Sequence, residues 1–411
     1  MVSLVDIRAA EQRIAPHVIR TPLVYSPTIS TLTGARVFLK LETLQKAGSF
    51  KVRGATNKIL LNCPAVREHG VVAASAGNHA QGVVVAARAA GVRSTIVMPS
   101  WASISKQEAT RGYGADVVIS GSSLEESIGR AGELAREGRL FIHPYDDDEV
   151  IAGQGTIGTE ILDDLPETDL IMVPVGGGGL IAGIAAAAKA LKPAIRIIGI
   201  QAAACPSALE AIAAGSPVRV TARPTIADGI RVAECGSRTF PILQELVDQV
   251  VLATEEEIAD AMLLLLERKH VVAEGAGAAP LAALLNGSVG VPKGSTVVLV
   301  ISGGNVDSAQ FFRIVRQSMA RQGRILRFSV LLEDRPGALA ELLSIVAEQG
   351  GNILHIDHTF GEGEVPVMMA RVEVELETRG REHAGSIQNA IRDAGYRIQT
   401  AEETAVLHVQ E

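Results

Sequence analysis

Lys51 stands in the run Gly48-Ser49-Phe50-Lys51-Val52-Arg53-Gly54-Ala55, a short polar turn feeding a helical stretch, with an aromatic ring immediately before the amine. A lysine behind an aromatic residue is well placed to hold pyridoxal phosphate (PLP) as a Schiff base. Burial against apolar surface would lower the amine's pKa and leave it nucleophilic. The plain alternative is a solvated charge near a helix start. A second candidate is Gly176-Gly177-Gly178-Gly179, between a β-like run at 170–173 and a helix beginning near Leu180. Glycines there let backbone N–H groups crowd around an anion at the helix N-terminus, where the partial positive charge favours phosphate. Gly177-x-Gly179-x-x-Ala182 also fits a dinucleotide fingerprint. That reading wants an acid at the end of the next strand, and Ile198-Gly199-Ile200 ends in Gln201. A single phosphate monoester is the better ligand.

The turn Ser75-Ala76-Gly77-Asn78-His79 follows another β-like run. Hydroxyl, glycine backbone and amide together can bind a carboxylate or a phenolic oxygen without bringing a negative charge. Equally, Ser75 or Asn78 could simply cap the following helix, and His79 alone reads as a packed or capping histidine. Ser302-Gly303-Gly304-Asn305 ends the run at 296–301, at the carboxyl edge where parallel sheets place ligands. Ser302 could donate a hydrogen bond to a ring nitrogen or be an ordinary turn serine. Glu274-Gly275-Ala276-Gly277-Ala278 and Ala227-Asp228-Gly229 are further glycine-rich turns that could line the same cleft, and their spacing assigns them no role.

These turns need strands and helices to hold them. Short apolar runs at 71–74, 94–98, 116–119 and 140–142 alternate with helical stretches, and a second set lies at 170–173, 195–200, 250–253 and 296–301. Such strands indicate parallel sheets covered on both faces, here two doubly wound α/β lobes with a cleft between them. Residues 1–45 with 147–320 form the larger lobe and 46–146 the smaller. The composition shifts near Arg321-Gln322-Gly323-Arg324. Beyond it, strand-like runs at 325–332, 353–359, 366–376 and 396–400 and helices at 338–348 and 382–394 give βαββαβ, the ferredoxin-like order. A third domain therefore spans 325–411.

Composition excludes several classes. A net charge of −8 argues against nucleic acid as the main partner, and the cluster Arg313, Arg316, Arg321, Arg324 and Arg327 reads as a solvated helix end. Cys63, Cys205 and Cys235 have no metal-ligand or CxxC spacing, which fits a reducing cytoplasm. The first residues show no apolar signal-peptide core. The uncharged stretch 170–188 is broken by Pro174 and the four glycines into strand, turn and helix, so no membrane span is expected.

Taken together, Ser49-Phe50-Lys51-Val52-Arg53-Gly54, Ser75-Ala76-Gly77-Asn78-His79, the four glycines and Ser302-Gly303-Gly304-Asn305 resemble the threonine dehydratases (threonine ammonia-lyases) of the tryptophan-synthase-β-like PLP fold, fold type II. The resemblance runs in order from about residue 5 to 320. It implies that Lys51 forms the Schiff base with PLP and that Phe50 lies against the ring. Asn78 would bond the phenolic oxygen, Gly176, Gly177, Gly178, Gly179 and Leu180 the phosphate, and Ser302 the pyridine nitrogen. Ser75 with the backbone of Gly77, Asn78 and His79 would grip the substrate carboxylate. A hydroxyl at the ring nitrogen need not keep it protonated, which favours loss of the β-hydroxyl over transamination. Lys51 would take the α-proton, the hydroxyl would leave, and the released enamine would hydrolyse to a 2-oxo acid and ammonia.

Ala76 lies where similar racemases carry a proton-donating serine. Cation-activated relatives carry acids where this chain has Gln201, Cys205 and Ser207, so no divalent metal site is expected. Thr43 departs from the family's usual asparagine. The tail, with Asp334-Arg335-Pro336-Gly337-Ala338-Leu339 and Gly350-Gly351-Asn352-Ile353, resembles an ACT domain. Asp334, Gly337, Ala338, Asn352 and Ile353 would then bind an amino-acid effector, isoleucine or valine, in a homo-oligomer; a purely structural pairing module is the alternative. The leading expectation is a PLP-dependent threonine and serine dehydratase with a regulatory domain. A serine racemase or β-replacing synthase of the same fold, and a non-catalytic amino-acid sensor, are the alternatives.

Overall fold

A computed structural model describes residues 1–360 and 365–400. The chain divides into two compact units, Met1–Asp307 and Ser308–Glu411. The division falls ahead of the compositional break at 321–324, so the helix Ser308–Arg321 is grouped with the C-terminal sheet.

The first unit holds two sheets. Its strands are β1 (Leu23–Tyr25), β2 (Arg36–Leu41), β3 (Val71–Ala74), β4 (Ser94–Met98), β5 (Asp116–Ile119), β6 (Leu140–Phe141), β7 (Leu170–Pro174), β8 (Arg196–Ala202), β9 (Gln249–Ala253) and β10 (Thr296–Ile301). The larger sheet runs β1-β2-β10-β7-β8-β9 and the smaller β5-β4-β3-β6. All neighbours are parallel except β1, which pairs antiparallel with β2 as an edge. Every residue of β3, β7 and β10 is buried, as strands covered by helices on both faces must be. The sequence reading missed β1 and β2. The six residues of β2 include Arg36 and Lys40, which interrupt the apolar run, yet Lys40 is wholly buried.

Lys40 is buried because it has partners. Its Nζ donates to Glu160 Oε2 at 2.6 Å and to the carbonyl of Thr21 at 2.7 Å. Arg53 donates from Nε and Nη2 to the two oxygens of Glu42 at 2.8 and 2.7 Å, and from Nη1 and Nη2 to those of Glu160 at 2.7 and 3.0 Å. Burial alone would raise the pKa of Glu42, but the Arg53 guanidinium against it holds the carboxyl below its ordinary value. Two cations thus face two carboxylates out of water. They join β2, the helix Lys51–Leu61 and the helix Asp148–Asp164. The two helices also meet at glycines: a Cβ on Gly153 would lie 2.6 Å from the Cα of Gly54.

The C-terminal unit carries β11 (Ile325–Glu333), β12 (Asn352–Phe360), β13 (Met369–Glu377) and β14 (Ile398–Thr400), in the order β12-β13-β11-β14 and all antiparallel. Leu326, Phe328, Val330 and Leu332 point to one face, where Leu342, Val346, Ile387 and Ile391 of two helices cover them. This is the expected βαββαβ. β13 starts at Met369 rather than near Pro366, whose carbonyl instead accepts from Met369 N in a turn, because proline has no N–H to give a ladder.

Replacing Arg53 with methionine leaves both carboxylates without their shared partner. Unfolding in urea should show a loss of about 3–5 kcal/mol; a loss of about 1 kcal/mol or less, the scale of a surface pair, would mean the cluster holds nothing in place.

Candidate functional site

The turn at the carboxyl end of β10 is fastened to the start of the helix Lys51–Leu61, the turn after β3 is tied to it through Asn78 and Asn305, and the turn after β7 packs on Tyr145, beside the Pro144 carbonyl that holds Lys51. Phe50 N donates to the carbonyl of Ser302 at 3.1 Å, and Ser49 forms an isolated bridge with Gly303. The end of β10 is therefore fastened to the residue before the lysine. Lys51 Nζ lies 5.1 Å from the centre of the Phe50 ring and donates to the carbonyl of Pro144 at 2.7 Å. Burial lowers its pKa to about 8, against the pull of the Glu274 carboxylate. The amine is thus no solvated surface charge. Near neutral pH a useful fraction of it is unprotonated and nucleophilic.

In the Ser75 turn, Ser75 Oγ accepts from Gly77 N at 3.1 Å. The helix Asn78–Ala89 starts after Gly77 with no side-chain cap, so neither Ser75 nor Asn78 is spent as one. No atom lies within 4 Å of where a Cβ on Gly77 would sit, which leaves room above its backbone. Asn78 Nδ2 donates to both oxygens of Glu274, at 2.7 and 2.9 Å. His79 Nε2 meets the carbonyl of Ile142 at 2.8 Å. Burial, and next the nearby Lys51 charge, push its pKa down to about 3. The ring is neutral and its Nε2 donates to that carbonyl.

In the tetraglycine turn, Gly178 has φ +97° and precedes the helix Gly179–Leu191. A Cβ there would stand 2.8 Å from Thr239 Oγ1, on a backbone that side chains rarely adopt. The carbonyl of Gly177 accepts from Thr239 Oγ1 at 2.7 Å and from Gly236 N at 3.2 Å. With that oxygen turned aside, the first N–H groups of the helix, those of Gly179 and Leu180 among them, are the unpaired donors of a helix start. Gly176, at the end of β7, packs beside Val232 and Ile230. Ser302 is buried at the end of β10.

Of the segment 142–147, the sequence reading took in only Ile142, as the end of a strand. The segment supplies the carbonyls that hold His79 and Lys51, and the ring of Tyr145 lies against Gly177. His143 packs edge-on to that ring at 4.8 Å and accepts from Asp146 N at 2.7 Å. Asp146 in turn accepts from the amides of Ser237, Arg238 and Thr239. Its one signal was the run His143-Pro144-Tyr145-Asp146 directly after a short strand. Glu274 lay in a turn noted without a role, and Asn305 in the turn where Ser302 alone was given one. Glu274 is buried, and desolvation first, then Asp228, raises its pKa to about 7. Asn305 Nδ2 donates to the Ala47 carbonyl at 2.7 Å, to Asn78 Oδ1 at 2.8 Å and to Gln81 Oε1 at 2.9 Å.

Gln201 Oε1 accepts from Ala208 N and Leu209 N, at 2.9 and 3.0 Å, and its Nε2 donates to Ser207 Oγ and the Val175 carbonyl. Among the described residues no group of three or more His, Cys, Asp and Glu side chains is arranged to hold a metal ion.

The residues expected to bind an effector do not meet in one chain. Asp334, Gly337 and Ala338 follow the end of β11, whereas Asn352 and Ile353 begin β12 beside Leu376 and Glu377, which pair with the start of β11. The two groups stand roughly 25 Å apart along the strands. Gly337, at φ +94°, precedes the helix Ala338–Glu348, and Asn352 Nδ2 donates to Glu377 at 3.0 Å.

Residues 14–303 match the family described as pyridoxal-phosphate dependent enzyme, and residues 326–375 match the ACT domain. An L-threonine ammonia-lyase of Thermotoga maritima is 46% identical over 399 residues, 97% of this chain and 99% of that protein. Among solved structures, a threonine deaminase of T.th. origin has a TM-score of 0.70 at 44% identity, covering 74% of this chain and 99% of its own. A maize serine racemase has a TM-score of 0.73 at 37% identity, covering 78% of this chain and 99% of its own.

The cofactor-free protein should form an imine with PLP at a rate that climbs with pH and flattens above about 8, followed by visible absorbance. A rate still climbing toward about pH 10, the range of a free lysine, would show a solvated amine instead.

Proposed function

The chain belongs to the pyridoxal-phosphate dependent enzymes, and on that premise we propose that it dehydrates and deaminates L-threonine, and L-serine beside it, to 2-oxobutanoate or pyruvate and ammonia. The observation that carries the reading is a buried amine of lowered pKa, Lys51, at a helix start fastened to the strand-end turn of β10.

The residues fit the cofactor. Lys51 is the amine that would hold its aldehyde carbon, and Phe50 would lie against its ring. Gly176, Gly177, Gly178, Gly179 and Leu180 would hold the phosphate, at a turn where a Cβ on Gly177, Gly178 or Gly179 would collide with Tyr145 or Thr239. Asn78 would meet the phenolic oxygen and Ser302 the ring nitrogen. Bound there, pyridoxal phosphate supplies an electron sink for charge developing at the substrate α-carbon. The chain supplies grip, geometry and a base. Ser75 and the backbone of Gly77, Asn78 and His79 would fix the substrate carboxylate. Lys51 Nζ, free while substrate is held, takes the α-proton. His79 is too acidic as an imidazolium to compete for it near neutral pH.

Dehydration is favoured over racemisation by Ala76, which offers no proton from the turn, and by the 46% identity to an L-threonine ammonia-lyase against 37% to a serine racemase. The amide of Gln201, already engaged in capping a helix, supports a reaction without a divalent ion. No helix among the described residues is long and apolar enough to cross a membrane. A cytoplasmic location is part of the same proposal, supported by three free cysteines.

The C-terminal ACT domain suits an amino-acid effector, with isoleucine or valine the reading we favour. Its β12 is an edge strand with Ile353, Leu354 and Phe360 exposed. Pairing of two copies along such an edge would cover these side chains. It would also supply a neighbour to the effector residues that one chain leaves apart.

Purified protein given L-threonine should release 2-oxobutanoate, and Lys51→Ala should cut the rate at least about a thousandfold. Racemised amino acid without oxo acid would overturn the dehydratase reading. Isoleucine or valine should shift the threonine dependence of the full chain, and removing residues 325–411 should abolish that shift. A response that survives the truncation would place the effector elsewhere.

A further inference from the structure

We propose that Glu274 and Asn305 are positioning residues that lock the orientation of the Asn78 side-chain amide, so that one of its N–H bonds always faces the cofactor's ring oxygen. The proposal rests on the reading of Asn78 given above. An asparagine amide can sit in two orientations of nearly the same shape, with oxygen and nitrogen exchanged. Only one of them presents a donor. Something must choose.

The choice starts at a group that cannot turn over. The main-chain carbonyl of Ala47 is an acceptor only, and Asn305 reaches it at 2.7 Å, so the nitrogen of Asn305 must face that way. The same nitrogen lies 2.8 Å from Asn78, which must therefore present its oxygen there. The Asn78 nitrogen is thereby turned to Glu274, where both carboxylate oxygens lie within 2.9 Å. One N–H shared between those oxygens satisfies the contact, and the second is left to donate. Glu274 completes the lock as an acceptor.

Glycines make room for these groups. Gly48 has φ +68°, and a Cβ there would collide with the Asn305 amide. A Cβ on Gly303 would stand 2.6 Å from Glu274 Oε1, and one on Gly229 would stand 3.4 Å from it. Gly229 and Gly303 thus leave room for the Glu274 carboxylate beside Asn78. The charged groups acting on Glu274 are Asp228, which opposes its ionisation, and Lys106 and Lys51, which favour it. When Glu274 takes a proton, one oxygen becomes a donor facing a donor, and the lock loosens as pH falls.

The test uses the PLP-loaded full chain as wild type, N78A, E274A, E274Q and N305A. Its readouts are the ratio of visible to near-ultraviolet imine absorbance, which reports a donor at the ring oxygen, and PLP affinity by titration of the cofactor-free protein. E274A and N305A should move the ratio in the same direction as N78A and weaken affinity about tenfold, the scale of one lost hydrogen bond. E274Q, which like the protonated carboxyl carries one acceptor and one donor, should hold the ratio at the wild type's low-pH value at every pH, whereas the wild-type ratio changes around pH 7. Wild-type ratio and affinity in E274A and N305A, with N78A altered, would overturn the positioning role. A wild-type spectrum in N78A would overturn the reading of Asn78 beneath it as well. Should E274A not fold, a wild-type pH response in E274Q overturns the proposal by itself.

Discussion

Four charges sealed from water decide where the reactive amine can stand. Arg53 and Lys40 face Glu42 and Glu160, with every contact a charge-assisted hydrogen bond between 2.6 and 3.0 Å. Such a cluster adds little to stability over an apolar core of the same shape, because desolvation offsets most of the attraction. It does penalise every arrangement but one, since a displaced helix would strand a buried charge. Lys51 and Arg53 are two residues apart, about 200° around the helix. When Arg53 is held on one side by β2 and the helix Asp148–Asp164, Lys51 is turned to the other. The cleft inherits its geometry from that clamp, and the Gly54–Gly153 approach fixes the depth at which it closes.

The same cluster explains what could be read from the sequence. Glycine turns at strand ends and the alternation of short apolar runs with helices are local patterns, and they fixed the two-lobed α/β reading and the position of Lys51. Lys40, Glu42, Arg53 and Glu160 look like surface charges in any short window, because their partners lie 11 to 120 residues away in the chain. β2 was missed for that reason. Glu274 and Asn305 had visible turns but no visible partners. Tyr145 packs on a glycine two elements downstream, a contact that no local periodicity encodes.

The C-terminal unit was legible down to its element order because its sheet has one wet face and one dry face, so alternation alone identifies the strands. Its effector residues were less so. A sequence motif says which residues resemble a binding set and says nothing of register. Here β11, β12 and β13 are paired so that the two halves of the set fall at opposite ends of the sheet. A ligand that needs both halves must find one of them on another copy. Under the reading proposed above, regulation by such a ligand would depend on assembly, since an effector shifts activity only by the difference in its affinity for two states.

Around the amine, two buried groups are drawn toward neutrality from opposite sides. Burial brings Lys51 down to about 8 and raises Glu274 to about 7, and each charge favours the other. Between those values the lysine is mostly protonated and the glutamate mostly ionised, so the pair is close to neutral overall. Removing the charge on Nζ takes away a positive neighbour that holds the Glu274 pKa down, and the carboxylate becomes more basic. The amine's charge is thus one of several influences that favour ionisation of Glu274, which lies one hydrogen bond from Asn78. Groups whose environments bring them near the working pH are those able to trade protons during a cycle. The neutral His79 beside them, with its pKa near 3, is kept out of that exchange. What is left near the working pH beside Asn78 is an amine, Lys51, and a carboxylate, Glu274, each shifted mainly by burial.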